Sequence, residues 1–336
     1  MSVDKIIEGL ILKLTGDNDK DVKFLMSECE RYKTHEYANE ILRAISRLIY
    51  DILPVDEKEN INQVSDNRYI GINKKNEEIN IQIVKKNFDK ALLLIKSVIK
   101  NIEDTGWYLN DDKNEYFCFN NLLEKLIYID TFKPEKEVMQ IPENYAEMYF
   151  KCGNVLFEIE EYDNAKIVLE KAICYNPVNT EYLFELGEVY KVKKDWDMVL
   201  KINKDCLKYA YTNKSIARCY RNLGYYYVEE EKYEYAIALF NLSINYDKEG
   251  MVAYSELYYI SNKTGLDIKF PAPQIIKKIL EENNIQIGAN KSVLDLAYTI
   301  GFNAQKNNQV EAAKYYYNII YELTNSNEIK KILDNM

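Results

Sequence analysis

Residues 149–177 read YFKCGNVLFEIEEYDNAKIVLEKAICYNP, and this stretch decides the fold. Within it, Gly153 stands 12 residues before Ala165, and apolar residues recur at the three- and four-residue spacing of amphipathic helices. The same offset between a glycine and a small residue recurs at Gly187–Val199, Gly224–Ala236 and Gly301–Ala313. Small side chains on two helices let the backbones approach closely, so the offset predicts repeated antiparallel helix pairs.

Large side chains surround each glycine in a shared order, in units that follow one another after 34 and 37 residues. In the first unit the pattern consists of Tyr149, Cys152, Gly153, Leu156, Ala165, Leu169, Ala172 and Pro177. This order resembles the tetratricopeptide repeat, over residues 144–262 and again over 292–324. The resemblance implies an all-α fold: a right-handed superhelical array of antiparallel helix pairs, or α-solenoid, with an N-terminal helical region.

Breaks in the pattern divide the chain into six predicted segments. They are an N-terminal helical region (1–54), a polar loop or linker (55–86), a degenerate helical repeat region (87–143), the repeat array (144–262), an insert (263–291), and a C-terminal repeat with a capping helix (292–336). Ser292, followed three residues later by Asp295, is predicted to be the N-cap of the last repeat.

Composition limits the binding partners and the cellular location that we expect for this protein. The 336 residues carry a net charge of −10, which disfavours binding to nucleic acid or to an anionic membrane surface. Six cysteines without a CxxC pair indicate reduced thiols and a cytoplasmic location. We expect neither an export signal nor a membrane span, because the sequence contains no 18-residue apolar run. Abundant Ile, Lys, Asn and Tyr are typical of AT-rich bacterial genomes.

Motifs for catalysis are missing from the sequence, so we predict a protein that is not an enzyme and has no catalytic residues, cofactor or metal. His35 is the only histidine, which excludes multi-histidine zinc sites, and no glycine-rich phosphate-binding motif occurs. Asp17, Asp19, Asp21 and Glu28 have the spacing of a calcium-binding loop. Val22 occupies the place that requires glycine, so these residues are predicted to favour a helix N-terminus instead.

In the family that the sequence resembles, the first helix of each pair lines a concave groove that holds the ligand. The matching positions give the ligand-binding candidates Phe150, Asn154, Phe157, Glu188, Arg218, Arg221, Asn222 and Tyr225. One branch of the family clamps a C-terminal carboxylate with Lys and Asn; Asn154 matches the Asn, but Phe150 replaces the Lys.

Arg218 and Arg221 lie three residues apart and are neighbours on one helix face. Their guanidinium groups suit a ligand carboxylate. They also suit pairing with Glu185, Glu188 or Glu229 of the same surface, and the sequence leaves both interpretations open. The basic run of Lys191, Lys193 and Lys194 is interpreted as a solvated helix end.

Two functions follow from the predicted groove. The first is a scaffold or adaptor that binds a protein or peptide, with an acidic group or a C-terminal carboxylate as a candidate feature of the partner. The alternative is a peptide-responsive bacterial regulator whose repeat array senses a signal peptide and controls a partner. Regulators of that kind often carry an N-terminal helix-turn-helix or three-helix output domain. Residues 1–54 are predicted to be helical but contain no basic recognition helix.

Overall fold

The computed structural model describes residues 3–35, 37–53, 75–105, 108–141, 143–265 and 267–336. These residues form seventeen helices and very little strand, which confirms the all-α prediction. The chain divides into two compact units, one made of Met1–Tyr116 with Ile141–Tyr145 and the other of Phe117–Gln140 with Ala146–Met336. Within the described part of the chain, no helix has the length and apolar character needed to cross a membrane.

The first unit begins with three helices that share a small apolar core. Its elements are α1 (Val3–Ile11), α2 (Asn18–Tyr32), α3 (Ala38–Ile52), α4 (75–84), α5 (Phe88–Thr105) and the start of strand β1 (Asn114–Phe117). The core of α1, α2 and α3 consists of the buried side chains Ile6, Leu10, Leu25, Ile41 and Ile45. Apolar residues from all three helices therefore hold α1, α2 and α3 together.

Acidic side chains fix the start of α2. The Asp17 side chain accepts a hydrogen bond from the backbone N–H of Lys20 at 3.2 Å, as an N-cap does. Asp21 accepts hydrogen bonds from the backbone N–H groups of Thr15 and Gly16, both at 2.8 Å. Among the residues that the structure describes, no group of three or more His, Cys, Asp or Glu side chains is arranged to hold a metal ion.

The second unit is a succession of helix pairs. Its elements are α6 (Leu122–Phe132), β2 (Glu137–Gln140), α7 (Tyr145–Glu158), α8 (Tyr162–Tyr175), α9 (Thr180–Val192), α10 (Trp196–Tyr209), α11 (Asn213–Glu229), α12 (Tyr233–Tyr246), α13 (Met251–Thr264), α14 (Pro273–Glu282), α15 (Lys291–Lys306), α16 (Val310–Thr324) and α17 (Asn327–Asp334). From α8 to α13, each helix packs against the next one in the chain. This arrangement is that of an α-solenoid.

Five helix pairs are joined by the same turn. In each turn one residue has left-handed backbone geometry, with φ between 56° and 66°. These residues are Lys86, Glu160, Lys194, Glu231 and Asn308. The next residue in each turn donates its backbone N–H to the carbonyl five positions earlier, at 2.9 Å in all five cases. A turn this short reverses the chain, so the two helices of each pair are antiparallel.

The pair α4–α5 corrects one sequence prediction. Residues 55–86 were predicted to be a polar loop or linker, but residues 75–84 form α4; residues 54–74 lie outside the described part of the chain. Ile79 takes the place that glycine has in the other pairs, seven residues before the left-handed residue Lys86. The second helix of this pair lies in the predicted degenerate repeat region, but its first helix was missed because the glycine of that helix is replaced by a large residue.

The start of α15 corrects another prediction. Its N-cap is Asn290, whose side chain accepts a hydrogen bond from the N–H of Ser292 at 3.0 Å. The hydroxyl of Ser292 instead donates to Asp130 on α6, at 2.5 Å. The capping-box interpretation fails because the helix begins one residue before Ser292, so Ser292 lies inside it.

The glycines differ in how closely the partner helix approaches. A Cβ atom at Gly153 would lie 2.5 Å from Leu169, and one at Gly224 would lie 2.7 Å from the ring of Phe240. Those distances are shorter than ordinary Cβ contacts, so any other residue would force Leu169 or Phe240 to shift. At Gly187 the nearest atom would be 3.7 Å away, an ordinary contact distance. The predicted close approach therefore holds at Gly153 and Gly224 but not at Gly187.

Candidate ligand-binding groove

Three helices, α9, α11 and α13, together with one side chain of α12, line a cavity of about 540 Å³ in the second unit, which we call the groove. Helices α9 and α11 are the first helices of two successive pairs, and α13 follows the second pair in the chain. The lining side chains are Glu188, Lys191 and Val192 from α9, Arg218, Arg221, Asn222 and Tyr225 from α11, Phe240 from α12, and Val252 and Glu256 from α13. Five of the eight candidates from the sequence thus meet around one cavity.

Helix α11 supplies the floor of the groove. A capping box of Thr212 and Ser215 fixes its first turn, each side chain accepting a backbone N–H of the other residue. From there the groove residues follow at helical spacing, so their side chains share one face. Those residues are Arg218, Arg221, Asn222 and Tyr225.

Arg218 is held by carboxylates of α9. Its guanidinium donates to Glu185 Oε1 at 2.8 Å and to Glu181 Oε2 at 3.2 Å, and it lies 3.7 Å from Glu188 Oε1. The guanidinium also stacks over the Phe184 ring, 4.6 Å from its centroid. Burial alone would lower the pKa of Arg218, but Glu185 and its neighbours raise it, so the charge is kept. Of the two interpretations that the sequence left open, pairing within the protein is the one observed.

Arg221 is held on the opposite side, by α12. Its Nη1 donates to Asp247 Oδ2 at 3.2 Å and to Ser243 Oγ at 3.3 Å. The side chains of Arg221 and Asp247 are only 17% and 22% exposed, so this ion pair is mostly screened from water. Asp247 is the C-cap residue of α12, so the pair fastens the end of α12 to the middle of α11.

A chain of polar contacts runs from the groove into the core. Lys191 Nζ donates to Glu188 Oε1 and to Asn222 Oδ1, both at 2.9 Å. Asn222 in turn donates to Asn203 Oδ1 at 2.9 Å, and the fully buried Asn203 donates to the carbonyl of Val199 at 2.8 Å. Each nitrogen in this chain of contacts donates to at least one acceptor, and these bonds fix the direction of the Asn222 amide.

The position of Lys191 corrects the interpretation of the basic run as a solvated helix end. The Lys191 side chain is only 16% exposed, and its Nζ lies 5.3 Å from the centre of the Tyr225 ring. Lys193, by contrast, pairs with Asp163 away from the groove. Helix α9 continues to Val192, so Lys191 is still part of the helix. Its side chain lies on the face of α9 that lines the groove.

The α13 side of the groove is acidic. Burial raises the pKa of the Glu256 carboxyl, Lys191 lowers it in part, and the charge of Glu229 raises it further. Among the residues described, Glu256 forms no ion pair. Burial and the carboxylates of Glu229 and Glu256 also raise the pKa of Tyr225. These effects indicate that Tyr225, Glu229 and Glu256 lie close enough for their charges to interact.

The remaining three candidates lie away from the groove, on α7. The ring of Phe150 packs against that of Tyr182 with centroids 4.8 Å apart, and the ring of Phe157 packs against Tyr162 at 5.3 Å. Asn154 is partly buried, and its Oδ1 has no hydrogen-bond donor among the described residues. These side chains pack between helices and do not line the cavity.

Sequence reasoning missed one central residue of this site, Asn203. It stands 16 residues after Gly187, at the place taken by Leu169, Phe240 and Tyr317 after the other three glycines. A polar residue at a position that is large and apolar in the other pairs could have identified Asn203 from the sequence. Asp247 and Glu256 carried no such signal, because acidic residues are frequent on the exposed faces of this chain.

Comparison with known families gives this arrangement no assignment: no protein-family model matches the chain.

Proposed function

We propose that this protein is a non-catalytic scaffold or adaptor that binds a peptide, or an extended segment of another protein, in the groove. One observation carries the proposal: α9, α11 and α13 converge on a cavity whose polar floor is fixed from within by the buried pair Asn203–Asn222. A buried polar pair is costly unless fully bonded, and it orients the Asn222 amide at the cavity surface. Pre-arranged polar groups in a cleft are typical of binding sites.

The size and lining of the groove suit a peptide side chain or two. The volume of about 540 Å³ lies within the range of roughly 300–1,000 Å³ that is common for ligand pockets. Val192 and Val252 are 46% and 59% exposed and offer apolar surface at the rim. The resemblance to tetratricopeptide repeats supports the same proposal, since their first helices line the binding groove.

A cytoplasmic location is part of this proposal. All six cysteines are free thiols, including the buried Cys206 and Cys219. Unpaired cysteines are common in reducing compartments and uncommon in secreted domains.

The expectation of an acidic or carboxylate-terminated partner stays a prediction, and the geometry weighs against it. Arg218, Arg221 and Lys191 each have a carboxylate partner within the protein. A ligand carboxylate would have to displace Glu185, Asp247 or Glu188 from these contacts.

The test is to fill the groove without disturbing the core. Val252→Trp places a large ring in the cavity, and Met251→Trp, one residue earlier on α13, places the same ring outside the lining at a position 69% exposed. Both sites are exposed, so we expect stability changes within about 0.5 kcal/mol. A phage-displayed library of random peptides should enrich binders on the wild type that Val252→Trp loses and Met251→Trp keeps. Binders indifferent to Val252→Trp would place the binding surface elsewhere.

The regulator remains a second candidate because of one observation in the first unit. Helices α1, α2 and α3 have their own core, as a separate output module would need. Hydrogen exchange of these helices, measured with and without an enriched peptide, separates the two functions. A regulator requires changed exchange in α1–α3 on peptide binding, whereas a passive scaffold requires protection at the groove alone.

A further inference from the structure

We propose that the groove selects a basic peptide segment and receives a lysine or arginine side chain beside Glu256 and Glu229. This inference rests on the proposed function and adds the chemistry of the partner. It reverses the expectation drawn from the sequence, in which the two arginines of α11 would attract a carboxylate.

The first step concerns the positive charges of the groove. Three carboxylates of α9 surround Arg218, and Asp247 pairs with Arg221. Lys191 shares Glu188 with Arg218 and also bonds to Asn222. Because the internal carboxylates already neutralise these cations, the positive side chains add little attraction for an incoming anion.

The second step concerns the negative charges. Glu256 lines the cavity, is half-buried, and has no ion pair among the described residues. Glu229 is exposed one helical turn beyond Tyr225 and lies close enough to raise the pKa of Glu256. Lys191 offsets the effect of burial only in part, so the half-buried carboxylate of Glu256, which has no ion pair of its own, is an unfavourable arrangement that a ligand cation would relieve.

The third step is the fit of a long cationic side chain. A lysine or arginine stem is apolar and can lie along Val252 while its charged head reaches a carboxylate. Lys191 already lies over the ring of Tyr225, so this ring contributes apolar surface beside which the stem of a long side chain can pack. The net charge of −10 draws basic peptides towards the protein at long range, an effect that salt screens.

The experiment compares three random peptide libraries of equal length on the immobilised full chain. In one library Lys and Arg are the only charged residues, in the second Asp and Glu, and the third is uncharged. We expect several-fold higher retention of the basic library, with the excess lost in Glu256→Gln and at high salt. The control Glu311→Gln removes the same charge from α16 at a site 93% exposed, and it should retain the basic library fully.

The outcomes separate the two proposals. If the acidic or uncharged library is retained equally and Val252→Trp still abolishes retention, the basic preference is wrong and the groove remains the binding site. If Glu256→Gln and Glu311→Gln lower retention equally, net charge alone attracts the peptides and the assigned contact is wrong. If Val252→Trp changes no library, the proposed function itself fails. Glu229→Gln, at an exposed position, repeats the test independently of any effect of Glu256 on folding.

Discussion

The pairs α9–α10 and α11–α12 use the same turn but pack their helices differently. In α11–α12, the ring of Phe240 fills the space over Gly224, and Arg221 and Asp247 fasten the two helices. In α9–α10, Gly187 has room to spare, and the residue that corresponds to Phe240 is the buried amide Asn203. Asn203 bonds to Asn222 of α11 rather than filling its own pair. The pair α11–α12 is held together by apolar packing over Gly224. The pair α9–α10 instead uses its buried amide for a hydrogen bond to α11.

This difference identifies Asn203 as a position where the repeat does not use an apolar side chain for packing. An apolar residue in place of Asn203 would satisfy the helix pair equally well, because nothing in α9–α10 requires an amide there. The amide is needed only by Asn222, whose other side faces the groove and Lys191. The polar residue at this one copy of an apolar position therefore supports the proposed binding groove.

The largest effect on stability should come from disrupting the Arg221–Asp247 ion pair, which joins α11 and α12. Arg221→Glu places two carboxylates together where a mostly buried ion pair was, and we expect a loss of about 2–4 kcal/mol in the free energy of unfolding. Urea denaturation measures it. Adding Asp247→Lys restores opposite charges and should recover most of the loss. An unchanged unfolding curve for the single variant would mean that Arg221 points into solvent and is available to ligands.

A smaller effect distinguishes the two glycines. In Gly224→Ala the new methyl group overlaps the buried Phe240 ring, and we expect a loss of about 2–3 kcal/mol. Gly187→Ala has space, and alanine favours a helix by about 1 kcal/mol over glycine, so stability should stay equal or rise. Thermal and urea unfolding of both variants test the contrast. Equal losses would show that α9 and α10 approach as closely as α11 and α12.

The polar pair offers a third test. Asn203→Leu restores an apolar residue but leaves the Asn222 amide without its acceptor, at a cost of about 1–2 kcal/mol. Adding Asn222→Leu removes the stranded amide and should recover stability while peptide binding stays lost. If the double variant binds enriched peptides as the wild type does, the amides serve packing alone. If it is less stable than the single variant, the polar contact is needed for folding.

The regular part of the fold was predictable because it rests on local rules. Glycine, alanine and large apolar residues at fixed spacing indicated the helix pairs, and the short turns indicated that they are antiparallel. Helix α4 was not predicted because Ile79 replaces glycine, and an isoleucine at helical spacing carries no repeat signal. Sequence placed five candidates at one groove, since helical periodicity fixes which side chains share a face. It did not fix the partners of Arg218 and Arg221, which depend on distances between helices far apart in sequence.

The smallest effect concerns the acidic side of the groove. Burial raises the pKa of Glu256 above its ordinary value of 4.5, so the folded protein binds this proton more tightly than the unfolded chain does. Above the folded pKa, the charged carboxylate destabilises the fold, and the penalty disappears as the pH falls through that pKa towards 4.5. Glu256→Gln should therefore be more stable than the wild type at pH 7, by less than about 1 kcal/mol since the group is partly exposed. The difference should close at acidic pH, and Glu311→Gln should show none. A lower stability of Glu256→Gln at pH 7 would mean that Glu256 has a cation within the protein, and the site proposed for a basic ligand would already be filled.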